Sequence, residues 1–399
     1  MKIGIISTLE NGIWGGCDPL WLCAAEDALA DGHSVGICLS RGNATIARTE
    51  HLLSSDTSLF WRKQKRNIHW RLRRWLINRL KESSVAFLRL LGERLRSRSS
   101  ELRQLFEWKP DVIIVNLSVI YDCYTLPNLA EELFKYKIPY VTITHSANDF
   151  QLPDSQMRRV TRDVEQNAKA ALFVSNGTLR MVERHLACGL PNASIIRNPV
   201  NIEETTALPM PLSDAAEFAF VGRLENDKGL DLLFEALALE PWKRRQWRLT
   251  LHGEGYDKAY LEDLSEYYNI KDKVVFSGYS HDIRYVWQNA HLLVLPSRTE
   301  SAPLALVEAM LCGRPAVVTD VGGVIEWAKE PDTAFVAEAA TTYSIAAAME
   351  RAWHARGEWE AMGLRAHEYA ISRVDRSPGR TLVNLAIELS GVAGCQTIL

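Results

Sequence analysis

Short apolar runs alternate with stretches of helical periodicity along the chain, the pattern of parallel strands joined by crossover helices. Residues 2–7 (KIGIIS), 34–40 (SVGICLS), 111–116 (DVIIVN), 139–145 (PYVTITH), 171–176 (ALFVSN) and 194–200 (SIIRNPV) read as one series of strands, with a helix over DPLWLCAAEDALADG between the first two. The polar, proline-bearing stretch EETTALPMPLSDAA (203–216) reads as a linker. A second series then begins with EFAFVGRL, RLTLHGEG, KVVFSGY, HLLVLPS and PAVVTD. The pattern predicts an α/β protein of two tandem Rossmann-like domains, 1–203 and 217–377, joined by 204–216.

The length of 399 residues suits two such domains and a sizeable core. With 47% hydrophobic and 24% charged residues, the composition is that of a soluble globular protein, and no run approaches the roughly 20 apolar residues that span a bilayer. The opening MKIGIIS leads straight into polar and glycine residues, so it reads as a first core strand rather than a leader. Seven cysteines, none in a C-x-x-C pair, suggest neither a disulfide framework nor a zinc site and fit a reducing cytoplasm. Charge changes the picture locally. Up to residue 216 there are 27 basic against 23 acidic side chains, and beyond it 19 against 26, so the front of the chain is basic and the back acidic. Residues 61–109 hold 15 Lys or Arg against four Glu, with Trp61, Trp70, Trp75, Leu72, Leu76, Leu80 and Leu91 interleaved at roughly helical spacing. Ordinary solvated helices and a face that meets an anionic membrane both fit this stretch.

The stretch LVLPSRTESAPLALVEAMLCGRPAVVTD (293–320) runs from a buried-type strand through a polar break into an apolar helix. Ser301 suits a helix cap and Pro303 a first helical turn. A helix N-terminus is thereby expected at the C-terminal edge of the sheet, where open α/β sheets bind ligands and where free N–H groups favour phosphate. Glu308 lies one to two turns into that helix, within reach of a ribose, and Glu300 lies in the loop. Two glutamates eight residues apart are ordinary on any helix surface; the strand-loop-helix context gives this pair its meaning. Arg223 and Lys228 follow the strand EFAFV and precede a helical pattern. Two cations in such a place suit a phosphate group, Arg as a fork and Lys as a point charge.

This stretch resembles the E-x7-E motif of retaining glycosyltransferases of the GT-B fold, in particular glycosyltransferase family 4, and FAFVGRLENDKGLDLLFEAL, LHGEG, VVFSGY and AMLCGRPAVVTDVGG fall in that family's order. The resemblance implies two domains facing each other across a cleft, and a helix over about 378–399 returning to the first. The donor is expected mainly on the second domain and the acceptor on the first. It implies that Arg223 and Lys228 hold the donor diphosphate, that Glu308 binds the ribose and that Glu300 lies beside the donor sugar. The helix start at Ser301, Ala302, Pro303 and Leu304 joins this set. Gly15 and Gly16 would let backbone approach the diphosphate and sugar. Gly253 and Gly255 would line the donor cleft or simply make a tight turn, and Gly278 and Tyr279 would meet the base. His145, at a strand end, would contact the donor sugar or its phosphate, donating a hydrogen bond as charge develops.

No D-x-D pair ends a strand, so no metal and no cofactor beyond the nucleotide-diphospho-sugar is expected. The predicted activity is retaining transfer of a sugar to a hydroxyl acceptor of unassigned identity: a secondary metabolite, a lipid-linked saccharide or a polysaccharide precursor. No nucleic acid partner is implied, and the expected place is the cytoplasm or the inner face of the membrane. A sugar-nucleotide epimerase of the same fold and a non-catalytic sugar-nucleotide binding subunit are the alternatives. A nicotinamide oxidoreductase lacks its glycine fingerprint here.

Overall fold

The computed structural model describes residues 1–9, 16–40, 49–53, 56–62, 102–147, 149–150 and 152–391. Gly15 and most of the basic stretch, residues 63–101, lie outside the described residues. Contacts divide the chain into two units: Met1–Phe173 and Val182–Ile196 together with the segment from Ser377, and Val174–Met181 with Arg197–Arg376. The division thus falls before residue 203. Residues 197–216, read as strand end and linker, group with the second unit, because Leu208 N donates to Cys312 O (3.1 Å) and Leu208 O and Pro209 O accept from Arg314.

The first unit is built on a seven-stranded parallel sheet of β1 (Lys2–Ser7), β2 (Ser34–Ser40), β3 (Thr57–Arg62), β4 (Val112–Leu117), β5 (Tyr140–Thr144), β6 (Ala170–Phe173) and β7 (Ala193–Ile195) in the order β3-β2-β1-β4-β5-β6-β7. β4, β5 and β6 are buried at every position, because helices cover both faces of a parallel sheet, and their residues are mostly apolar accordingly. Edge strand β3 is half-buried over most of its length. Helix Asp18–Ala30 sends Leu20, Trp21, Ala24 and Ala28 into the core beside Leu382, Val383 and Ala386 of helix Pro378–Ser390. Gly379 permits the approach, since a Cβ there would stand 2.6 Å from the Cys23 carbonyl carbon.

The second unit carries a six-stranded parallel sheet of β8 (Ala216–Val221), β9 (Trp247–His252), β10 (Val274–Gly278), β11 (Leu292–Leu295), β12 (Ala316–Thr319) and β13 (Ala334–Ala337) in the order β10-β9-β8-β11-β12-β13. The chain winds outward from β8 in one direction, returns, and winds outward from β11 in the other. The carboxyl ends of β8 and β11 are therefore neighbours whose loops diverge, and a crevice opens there. The pairing Leu292↔Phe218 and Leu293↔Ala219 brings the two ends level. Both sheets confirm the expected pair of Rossmann-like α/β units. Two strands escape the sequence reading, β3 and β13, and both are edge strands. The strand read over 194–200 is shorter, Ala193–Ile195.

Candidate functional site

Arg223 and Lys228 leave the end of β8, and Ser297 and Glu300 leave the end of β11, so four side chains far apart in sequence gather at the crevice of the second unit. Lys228 Nζ donates to Glu300 Oε1 at 2.6 Å, and Ser297 Oγ donates to the same oxygen at 3.0 Å. Both ionic groups are largely buried, 14% and 11% exposed, and short charge-assisted bonds of this kind are the strong ones. Arg223 is 60% exposed and leans on Glu225 and on Asp227, the latter at 3.1 Å. The two expected phosphate-binding cations are thus present, adjacent, and neutralised by carboxylates.

The loops are pinned to one another by backbone. Arg298 N donates to Asp227 O at 2.8 Å, and the Arg298 guanidinium grips both oxygens of Asp231 at 2.7 Å. Gly253 N donates to Gly278 O at 2.9 Å. A Cβ on Gly253 would stand 1.8 Å from Gly222 O, and one on Gly255 2.2 Å from Leu224 O. These glycines are therefore required for the 253–255 turn to cross under the 222–224 segment, a structural reason the sequence left open beside a ligand-lining one. Gly278 ends β10, and Tyr279 beyond it is exposed, its ring edge-on to His281 at 4.9 Å.

The helix after β11 is Leu304–Leu311. Ser301 does not cap it. Pro303 occupies the cap position, with Leu306 N and Val307 N donating to its carbonyl, because a proline drives the residue before it, Ala302, away from helical backbone and the helix cannot begin earlier. Glu308 is within this helix and almost wholly buried. Its Oε1 accepts from Asn201 Nδ2 at 3.0 Å and from Asn201 N at 3.3 Å. Burial pushes its carboxyl up to about 7, against which the Asn201 bonds act. Asn201, 107 residues away in sequence, is a partner of this candidate residue that no local pattern announces.

In the first unit the carboxyl ends of β1 and β4 make the corresponding switch point. Gly16 stands just before helix Asp18–Ala30, with none of the described residues within 4 Å of where a Cβ would be. Asn116 Nδ2 donates to Cys17 O (3.2 Å), which turns its Oδ1 toward His145 Nε2 at 2.8 Å. The imidazole N–H is therefore committed to Asn116, and Nδ1 is the bare nitrogen, buried and without a partner among the described residues. Burial holds His145 down to about 3, so the ring is neutral. The expectation of a donor is corrected: what His145 has left to offer is an acceptor. Among the described residues no group of three or more His, Cys, Asp or Glu side chains could hold a metal ion.

Residues 211–369 match the family Glycosyl transferases group 1. Among similar proteins, the uncharacterized glycosyltransferase YqgM of Bacillus subtilis is 32% identical over 148 residues, 36% of this chain and 41% of the relative. The alpha-D-kanosaminyltransferase of Streptomyces kanamyceticus is 32% identical over 142 residues, 35% of this chain and 37% of the relative. The chain thus spans less than half the length of these curated relatives. The fold is similar over nearly the whole chain to that of Anabaena HepE, solved in complex with UDP-glucose (TM-score 0.72, 17% identity, 97% of this chain and 99% of that one). It is similar also to sucrose-phosphate synthase of Thermosynechococcus elongatus (TM-score 0.71, 17% identity, 97% and 98%).

Proposed function

We propose that this chain, a GT-B protein whose residues 211–369 match the glycosyl transferases group 1 family, transfers a sugar from a nucleotide-diphospho-sugar to a hydroxyl acceptor with retention of anomeric configuration. The observation that carries the reading is the Lys228–Glu300 pair at the switch point of the second sheet. HepE was solved with UDP-glucose, and UDP is the nucleoside diphosphate we take as first probe. In the donor complex Lys228 and Arg223 exchange their carboxylate partners for diphosphate oxygens, Glu308 takes the ribose hydroxyls and Glu300, released, turns to the sugar.

The anomeric carbon–oxygen bond to the diphosphate breaks, and the electron pair leaves on the phosphate, where the two cations stabilise it. The acceptor oxygen attacks the same face of the oxocarbenium-like centre and its proton passes to the departing phosphate oxygen. His145, a neutral acceptor, receives a hydrogen bond from a sugar hydroxyl. We take the two side-chain cations to supply the charge that a metal supplies elsewhere, so turnover persists in a chelator. The test is a donor screen by mass spectrometry, UDP-glucose first, with and without a panel of hydroxyl acceptors. A glycosylated acceptor whose new anomeric configuration matches the donor supports the reading. A changed sugar nucleotide in the absence of acceptor instead makes the chain an epimerase.

A further inference from the structure

One carboxylate outside this set ties three distant segments of the second unit together. Glu326 ends the turn Val324–Glu326. Its Oε1 accepts from Gly177 N at 3.2 Å, and its Oε2 from Asn176 Nδ2 and Arg197 Nη1, each at 3.2 Å. Gly177 N belongs to the first turn of helix Asn176–Leu186, whose amides lack partners within the helix, and the next one, Thr178 N, is already satisfied by Ser175 Oγ at 3.0 Å. A carboxylate at that end also suits the helix dipole. Arg197 packs over the Trp327 ring at 5.2 Å, and Tyr369 donates to the Glu326 main-chain carbonyl at 3.0 Å, so the turn is held beside the carboxylate's own bonds.

Beneath this clamp the backbones touch with no side chain between them. A Cβ on Gly177 would stand 2.0 Å from Gly322 O, one on Gly322 1.4 Å from Glu300 O, and one on Gly323 2.3 Å from Ser301 O. Gly323 N donates to Glu300 O at 3.3 Å. A pile of bare backbone cannot absorb a shift by rotamer changes, so a movement of the 322–326 turn passes directly to the loop that carries Glu300.

We infer that Glu326 is a positioning residue: by locking the start of helix Asn176–Leu186 onto the Gly322–Gly323 turn, it fixes the backbone from which Glu300 reaches the site. That Glu300 serves catalysis rests on the proposed function; that Glu326 sets its backbone does not. Hydrogen exchange of the full chain without ligand therefore tests it first, comparing wild type with Glu326→Ala and Glu326→Gln. Amides in peptides covering 296–305 and 321–325 exchange roughly tenfold faster in Glu326→Ala, as expected when local opening is eased. Glu326→Gln, which keeps one acceptor oxygen, falls between and serves if the alanine variant does not fold. Loosening confined to 174–181, with 296–305 unchanged in both variants, overturns the inference and leaves Glu326 as a helix cap only.

A second arm uses UDP-glucose turnover. Glu326→Gln lowers kcat about tenfold while KM for UDP-glucose moves less than about threefold, the signature of a displaced group acting in the transition state. Unchanged kcat beside an inactive Glu300→Gln also overturns the inference. A fully active Glu300→Gln sinks the proposed role of Glu300 instead, with the exchange result standing on its own.

Discussion

Glu308 and Glu300 occupy very different surroundings, and each makes its own prediction. Glu308 is a buried carboxyl raised to about 7, and under the proposed function ribose hydroxyls donating to it would favour its charged form. UDP binding should therefore expel a proton, and affinity should fall as pH drops from 8 to 6, which calorimetry in buffers of different ionisation enthalpy reads directly. Glu308→Ala removes a charged acceptor from two hydroxyls and strands Asn201, costing roughly 1.5 to 3 kcal/mol of UDP affinity. Unchanged affinity in a folded variant takes Glu308 out of the site. Glu300 is the reverse case, since its carboxylate occupies the lysine that the diphosphate would need under the proposed function. Glu300→Gln should bind UDP alone a few-fold more tightly than wild type, yet transfer sugar about a hundredfold more slowly. Weaker UDP binding by that variant would show that the pair does not compete with the nucleotide.

Helix Ser155–Asn167 buries Glu165 completely against β5, where Thr142 Oγ1 donates to it at 2.7 Å, and desolvation pushes its carboxyl up to about 7 from an ordinary 4.5. Its folded value lies above its unfolded one, so the stability it contributes is whole below about 4.5 and is lost as pH rises through about 7. Glu165→Gln should accordingly flatten the fall in thermal stability between pH 5 and 8, and an unchanged slope would assign that fall elsewhere. The elements themselves are readable to an uneven degree. β1, β4, β5 and β11 announce themselves because burial on both faces leaves them mostly apolar. β3 does not, since a half-buried edge strand needs fewer apolar positions; β13 is passed over although all four of its residues are apolar. The Glu300, Lys228 and Arg223 grouping is legible because each residue closely follows a strand. Ser301 misleads because its capping preference yields to the backbone restriction that Pro303 imposes on Ala302. Asn201 and Glu326 are invisible in the sequence, because their partners lie 107 and about 150 residues away and only the fold brings them together.

Both units use the same winding, in which strands run outward from a central pair, and each places polar side chains at the carboxyl ends of its central strands. In the second unit these are Lys228 and Glu300, in the loops after β8 and β11; in the first, Asn116 of β4 with His145 beyond the neighbouring β5. If the cations rather than a metal carry the leaving-group charge, Arg223→Ala and Lys228→Ala should each cut turnover by two or more orders of magnitude while a chelator leaves wild type unaffected. Restoration by magnesium of chelator-abolished activity, with either substitution harmless, would reverse that assignment. A neutral His145 adds that no break between pH 5 and 8 in the rate profile should vanish in His145→Ala.

Helix Pro378–Ser390 rests against helix Asp18–Ala30, with Arg380 bonded to Asp27 and Asp31. On the ribosome this contact sets an order of events that runs against the order of synthesis. Leu20, Trp21 and Ala24 are made early, yet their cover arrives some 360 residues later, roughly 20 to 70 s at ordinary elongation rates. The second unit draws nearly all its chain from Arg197–Arg376 and can close first, while the earlier-made unit waits with an apolar helix face uncovered. A nascent chain stalled with residue 376 just outside the exit tunnel should resist protease in its second unit and be cut in its first; equal resistance would show that helix Asp18–Ala30 settles without its late partner.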